Sequence, residues 1–312
     1  MPLPTTPGRR RVRLRPAGTA LAALAALAAL CVAAGTLMAA VGAPAAGAAR
    51  RHSGAVVVLT AGSLETIMKT AVDAGFHKAT GYTVTDISGG STGLAQDIKG
   101  GVHKADVFWS AAPTSDKALM GAANGRWVRW YLTFAATSLV LGYEPTDKFA
   151  ATLESQPWWK VITKPGFLLG RTNPVTDPKG RLSVDALKKA AAQHHDAAVA
   201  AIVAKQTTVF TETSLVGRLQ AGQLDAGLFY AVEASAAHFP TVPLTGVSEK
   251  ADYTLTIVAK APHPAAADAF VRYLLSPAAK KLLAEKGLRE LGRPELSGKK
   301  SAVPKGLRKV IK

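Results

Sequence analysis

Two serines stand in small-residue turns, Ala61-Gly62-Ser63-Leu64 and Gly89-Gly90-Ser91-Thr92, and the chemistry they offer is that of an anion cradle. Each turn follows an apolar or β-rich run, residues 56–60 and 82–87, and each enters a segment of helical periodicity. Such a turn presents free backbone N–H groups, a hydroxyl and the positive end of a helix dipole. Gly62, Gly89 and Gly90 permit close approach to the backbone. Either serine alone is better explained as a helix N-cap, a position that serine favours in any case. The pair, on consecutive β-α units, points to one shared anion.

A second group lies further along the chain. The stretch Gly170-Arg171-Thr172-Asn173-Pro174-Val175-Thr176-Asp177-Pro178-Lys179-Gly180 holds two prolines and two glycines, which dictate a shaped loop. Asp177 either caps the residues after it or faces a ligand. Glu212 stands just before a helix containing Leu215 and Leu219, where an acid is also favoured by the dipole. Tyr230 ends the strand-like run 227–230, as a ligand donor or as a core tyrosine with a satisfied hydroxyl. Asp177 and Glu212 are the pair available for acid/base work in a hydrolase or lyase. No HExxH, P-loop, GxSxG or GxGxxG accompanies them at a fitting place. His194 and His195 are adjacent and so diverge around a helix, which disfavours a shared metal.

The elements that must position these residues alternate. Strands are predicted at 56–60, 83–87 and 106–110, with helices at 64–80, 93–100 and 115–123 between and after them. This β-α-β-α-β order gives an open, mainly parallel sheet flanked by helices, an α/β fold whose ligands bind beyond the carboxyl ends of the strands. Both serine turns fall at that edge. Further strands are predicted at 134–143, 167–170, 207–210, 227–230 and 253–259, with a loop around Trp158 and Trp159. A long Ala-rich helix is predicted over 183–204 with Ser183 as its cap, followed by helices at 214–221, 264–275 and 277–286. Two similar α/β units joined by crossing segments form a cleft that closes by a hinge.

The chain has 312 residues, and residues 1–49 read as a leader. Arg9, Arg10, Arg11, Arg13 and Arg15 precede an Ala/Leu-rich apolar stretch that ends in small residues such as Ala46-Gly47-Ala48, the order of a secretory signal. Retention of this stretch as a membrane anchor is the alternative. Cys31, the single cysteine, lies inside it, so a chain cleaved near residue 49 has no disulfide and no thiolate metal site. Without the five leader arginines the 38 basic residues become 33 against 21 acidic ones, and the formal charge of +17 falls to +12. Part of the excess sits in Lys299, Lys300, Lys305, Arg308, Lys309 and Lys312, read as a solvated basic tail. No aromatic residue accompanies it, and with the export signal this argues against nucleic acid as a partner.

Taken together, the stretches Thr60-Ala61-Gly62-Ser63-Leu64, Gly89-Gly90-Ser91, Ala105-Asp106-Val107-Phe108, 170–180, 222–230 and 267–276 resemble the extracytoplasmic molybdate/tungstate-binding proteins of ABC importers. That resemblance implies a two-lobed type 2 periplasmic-binding-protein fold. The first lobe would take residues 50–134 and return over 245–295, the second lobe 135–244, and the tail 296–312. It implies a monomeric receptor, without catalysis or cofactor, that hands its anion to a membrane permease. Ser63 and Ser91 would hold oxo groups, Asp177 and Glu212 would approach the Mo or W centre, and Tyr230 would donate its phenol. Sulfate or phosphate is the alternative cargo. The chain departs from the family pattern at Lys179 after Asp-Pro, at Ala136-Thr137 in the crossing strand, and in a shortened stretch between Asp177 and Glu212.

Overall fold

The computed structural model describes residues 54–311, so the leader reading lies outside the described residues. Ten strands follow in chain order. They are β1 (Ala55–Ala61), β2 (Thr83–Gly89), β3 (Val107–Ser110), β4 (Trp130–Tyr143), β5 (Leu169–Thr172), β6 (Val209–Phe210), β7 (Ala226–Tyr230), β8 (Thr241–Pro243), β9 (Lys250–Ile257) and β10 (Arg289–Gly298). Their spatial order is β2-β1-β3-β9-β4-β7-β5-β6, with β8 and β10 also pairing with β4. At one end β1 runs parallel to β2 and β3; at the other β5 runs parallel to β6 and β7. Between the two parallel sets lie β9 and β4, antiparallel to each other and to their outer neighbours.

This arrangement is the expected α/β fold with flanking helices, but the sheet is mixed rather than mainly parallel: the parallel sets at its two ends are joined through antiparallel pairings that all involve β4 or β9. The apolar runs supply its core: Val56, Val58, Leu59, Val107, Trp109, Leu228 and Tyr230 have essentially no exposed surface. Strands buried on both faces read as continuous apolar runs, which is why the sequence marks them clearly. The 14-residue β4 passes through both halves, pairing with β9 and β10 over its first part and with β7 and β8 over its last. Two strands thus connect the halves. The serine turns after β1 and β2 and the loops after β5 and β7 all leave from carboxyl ends of strands.

Three readings are corrected. The loop expected to run to Gly180 ends earlier, because the helix Pro178–His194 begins immediately after Asp177. Asp177 is its N-cap and Pro178 its first residue, the pairing that a missing proline N–H and a free carboxylate favour. Ser183 is therefore interior to that helix, its hydroxyl donating back to the Lys179 carbonyl. The helix does not continue to 204. His195 turns left-handed at φ 52°, and Asp196 caps a separate helix, Ala197–Ala204. His194 stacks on Trp159 at 3.8 Å, and Trp158 is a buried core residue in the short helix Trp158–Val161.

Nor is the C-terminal stretch a solvated tail. β10 pairs with β4, and Val303 and Leu307 are buried beyond it. Its lysines and arginines can remain in water while these two apolar residues anchor the segment. Composition weighted the charges and missed the anchors.

Candidate functional site

Neither serine caps a helix. Ser63 lies in the one-turn 3-10 segment Gly62–Leu64 after β1, and no side-chain cap is made there. Its hydroxyl instead shares a 2.8 Å hydrogen bond with the Tyr253 hydroxyl, supplied by β9. Ser91 is the first residue of the helix Ser91–Gly100, whose N-cap is Gly90. Its oxygen accepts from the Ala111 backbone N–H at 3.0 Å, which ties the turn to the end of β3 and leaves the serine proton free to donate. Both serines are almost fully buried. The geometry of the two serine turns is thus fixed by tertiary partners rather than by capping.

The second half supplies a charged cluster. Asp177 Oδ1 accepts from the Lys179 backbone N–H at 3.1 Å, closing the first turn of the helix. The Lys179 side chain has no exposed surface, and its ammonium donates to Glu212 Oε1 at 3.0 Å. It also donates to both oxygens of Glu233, at 2.8 and 2.6 Å. Glu212 begins the 3-10 turn Glu212–Ser214, and Glu233 lies in the first turn of the helix Ala231–Ala236. The same ammonium sits 5.8 Å from the Tyr230 ring centroid. Tyr230 in turn meets Tyr253 edge-on, with ring centroids 6.1 Å apart.

Three buried oxygens in this cluster lack a hydrogen-bond partner: Asp177 Oδ2, Glu212 Oε2 and the Tyr230 hydroxyl. The Thr172 hydroxyl lies near enough to favour the ionised form of Asp177, without forming a bond of good geometry. Unpaired buried polar atoms are costly, and a group of them at one place makes this cluster the candidate site.

The two halves meet at the serine turns. A methyl group on Gly62 would overlap Glu212 Oε2. One on Gly90 would stand 2.5 Å from the Thr176 carbonyl oxygen and 2.9 Å from Asp177 Cβ. The Gly93 N–H donates to that same carbonyl at 2.9 Å. Glycine at 90 is therefore required by the close approach of the Thr176 backbone, while at 62 it makes room for the end of the Glu212 side chain, one turn against each acid. Arg181 reaches across as well, donating to the Thr92 hydroxyl at 3.1 Å and the Thr114 hydroxyl at 3.2 Å. Removing these bonds by Arg181→Ala is expected to speed ligand release several-fold with little change in the ligand-free melting temperature, because exposed neutral acceptors contribute modestly. Stopped-flow dissociation measures it, and an unchanged off-rate would show that Arg181 plays no part in holding the halves together.

Electrostatically the cluster is poised between charge states. Burial pushes the carboxyl of Glu212 well above the ordinary range, against the pull of Lys179, and the neighbouring Glu233 and Asp177 add to the rise. Burial likewise raises Glu233 and Asp177. For Lys179, burial acts to weaken the charged form, but Glu212, Glu233 and Asp177 together outweigh it and hold the ammonium protonated. Burial also raises both phenols, Tyr230 and Tyr253, so they act as neutral donors.

The fold therefore places Asp177, Glu212 and Tyr230 in one cluster and sets Asp177 and Glu212 against the turns that carry Ser91 and Ser63. Sequence reasoning missed three members. Lys179 stood out only as a departure after Asp-Pro, and a lysine there reads as solvated until the fold buries it. Glu233 looks like an ordinary first-turn acid, and Tyr253 like one position in an alternating strand. Thr137, noted for its departure, accepts from the Val232 N–H at 3.2 Å and so secures the base of the Glu233 helix. Among the described residues no group of three or more His, Cys, Asp or Glu side chains is arranged to hold a metal ion.

A sequence profile of bacterial extracellular solute-binding proteins matches residues 56–289, from the first strand into the last. The chain belongs to this family. A Haloferax volcanii protein, named provisionally as an ABC transporter molybdenum-binding protein, is 30% identical over 222 residues, covering 71% of this chain and 68% of its own. An uncharacterized solute-binding protein of Petrotoga mobilis is 24% identical, covering 78% of this chain and 86% of its own. Among solved structures, the periplasmic molybdate-binding protein of Azotobacter vinelandii superposes with a TM-score of 0.57 at 19% identity, covering 75% of this chain and 98% of its own. The sulfate-binding protein of Mycobacterium tuberculosis gives a TM-score of 0.55 at 16% identity, over 77% and 88% of the two chains. Both likenesses establish the periplasmic-binding-protein fold.

This chain is thus an extracellular-type solute-binding protein, a receptor for a small ligand and not an enzyme. No described helix is long and apolar enough to cross a membrane.

Proposed function

We propose that this solute-binding protein captures molybdate or tungstate between the two halves of its sheet, as a monomer without a cofactor, and delivers it to the permease of an ABC importer. Ser63 and Ser91 hold oxo groups from the first half. Asp177, Glu212 and the Tyr230 phenol face them from the second, with β4 and β9 as the hinge on which the halves close. The observation that carries this reading is the pair of unpartnered buried oxygens, Asp177 Oδ2 and Glu212 Oε2, each on the acid that packs against one serine turn.

The charge argument narrows the cargo. Two ionised carboxylates beside a dianion in a dry cleft repel it strongly. Coordination to the central atom relieves that repulsion for Mo or W, which accept ligands beyond four. The sulfur of sulfate does not. The raised affinity of Glu212 and Asp177 for protons supports a second reading, in which the neutral acids donate to sulfate or phosphate instead.

Thermal-shift and calorimetric titration with molybdate, tungstate, sulfate and phosphate separates them. A ligand present at 100 times its Kd stabilises by about 2.7 kcal/mol, so micromolar molybdate or tungstate should raise the melting temperature by several degrees. Glu212→Gln should then narrow the preference over sulfate. Equal stabilisation by sulfate, or unchanged selectivity in that variant, overturns metal coordination by Glu212.

A further inference from the structure

Lys179 touches both acids assigned to the ligand. Its backbone N–H takes Asp177 Oδ1, and its ammonium takes Glu212 Oε1. Each carboxylate is left with one free oxygen, and these are the two that lack partners. The ammonium is itself fixed from behind by both oxygens of Glu233, which lies within the core on a helix whose Val232 N–H is tied to β4 through the Thr137 hydroxyl. The bond to Asp177 is a backbone N-cap contact that the position supplies whatever its side chain; the ammonium itself sets the direction of Glu212 and is the cation that opposes the charge of both acids.

We infer that Lys179 is the specificity-determining residue of this site, a positioning residue whose ammonium presents Glu212 as a single-oxygen ligand beside the N-cap Asp177 and thereby selects oxyanions with an expandable centre over sulfate. Three features lead there. A carboxylate free at both oxygens could rotate and chelate or swing away, whereas one anchored oxygen fixes the other toward the opposing turn. The Glu212 oxygen is held against Gly62, where no side chain intervenes. The buried cation, finally, lets acids stand near an anion at a charge cost that the bare pair could not sustain. Glu233 is then the counterion that keeps Lys179 from swinging into the cleft and binding the anion directly.

The inference rests on the oxyanion reading, and its test keeps the two apart. Wild type, Lys179→Met, Lys179→Arg and the double variant Lys179→Met/Glu233→Gln are titrated with molybdate and sulfate. Lys179→Met should lose at least about tenfold of the preference for molybdate over sulfate. The double variant removes the Lys179–Glu233 pair together, leaving Glu212 as the one acid without its cation, and so lessens the risk of simple misfolding; it should bind anions yet still lack the preference. Lys179→Arg should retain part of it. A double variant with wild-type selectivity overturns the inference, because Lys179 would then serve only to neutralise Glu233.

Should wild type ignore every oxyanion, the cargo reading fails while the positioning role is still decided without ligand. A melting-temperature cycle over Lys179→Met and Glu212→Gln should be strongly non-additive, and additivity overturns the role.

Discussion

Replacing Gly90 with alanine is expected to weaken binding of the tightest anion by about 10- to 100-fold while leaving the ligand-free protein folded. The residue has φ −64° and ψ 125°, which alanine adopts without strain. The obstacle lies entirely across the cleft. The new methyl would meet the Thr176 carbonyl oxygen at 2.5 Å and Asp177 Cβ at 2.9 Å, both parts of a capped helix start that cannot rotate aside. In a form with the halves apart, the methyl meets neither. The loss should therefore appear in calorimetric affinity and in the ligand-induced thermal shift, with a cost of less than about 1 kcal/mol in the unliganded state from the poorer N-cap. Gly217→Ala, where a methyl meets nothing within 4 Å, is the matched control. Wild-type affinity in Gly90→Ala would mean that the contact between this turn and Asp177 is not part of the bound state.

The largest effect on stability should come from Lys179→Met. Breaking a buried ion pair by removing one partner costs about 3–5 kcal/mol, which for a chain of this size is a fall on the order of 10 °C in melting temperature. Here it leaves Glu212 and Glu233 buried without the ammonium that joins them. The cost should depend on pH, with a definite sign. Burial already raises both glutamates in the folded state, and loss of the cation raises them further. A folded state that binds more protons than the unfolded chain loses stability as pH rises through the window between the ordinary carboxylate range and the raised values. The deficit relative to wild type should be largest at pH 8 and shrink toward pH 5. Equal deficits at the two pH values would show that packing, not charge, accounts for the loss.

Neither prediction could be framed from the sequence. At Gly90 the sequence offers a flexible turn before a helix; the reason glycine is needed is a carbonyl some 86 positions later, brought there by the fold. At Lys179 the sequence offers a basic residue in a Pro/Gly-rich stretch. Burial of that lysine depends on Glu212 and Glu233 arriving from two other elements, and no local pattern records such a meeting. The helix after Asp177 was legible in principle, since Asp-Pro is a strong start signal, but the two glycines and two prolines around it outweighed that signal.

The sequence by itself determined the strand and helix alternation, the α/β class and the serine turns at the carboxyl ends of strands. It did so because apolar runs, periodicity and turn residues are local properties. It also singled out Asp177, Glu212 and Tyr230 and their resemblance to oxyanion receptors. Only the tertiary structure decided what those residues touch. It showed that the serines answer to Tyr253 and Ala111 instead of capping helices, that one lysine binds both acids, and that a glycine on each turn admits the opposing acid. Those relations join elements far apart in the chain, where the cost of burying charge is met by partners that no local spacing can specify.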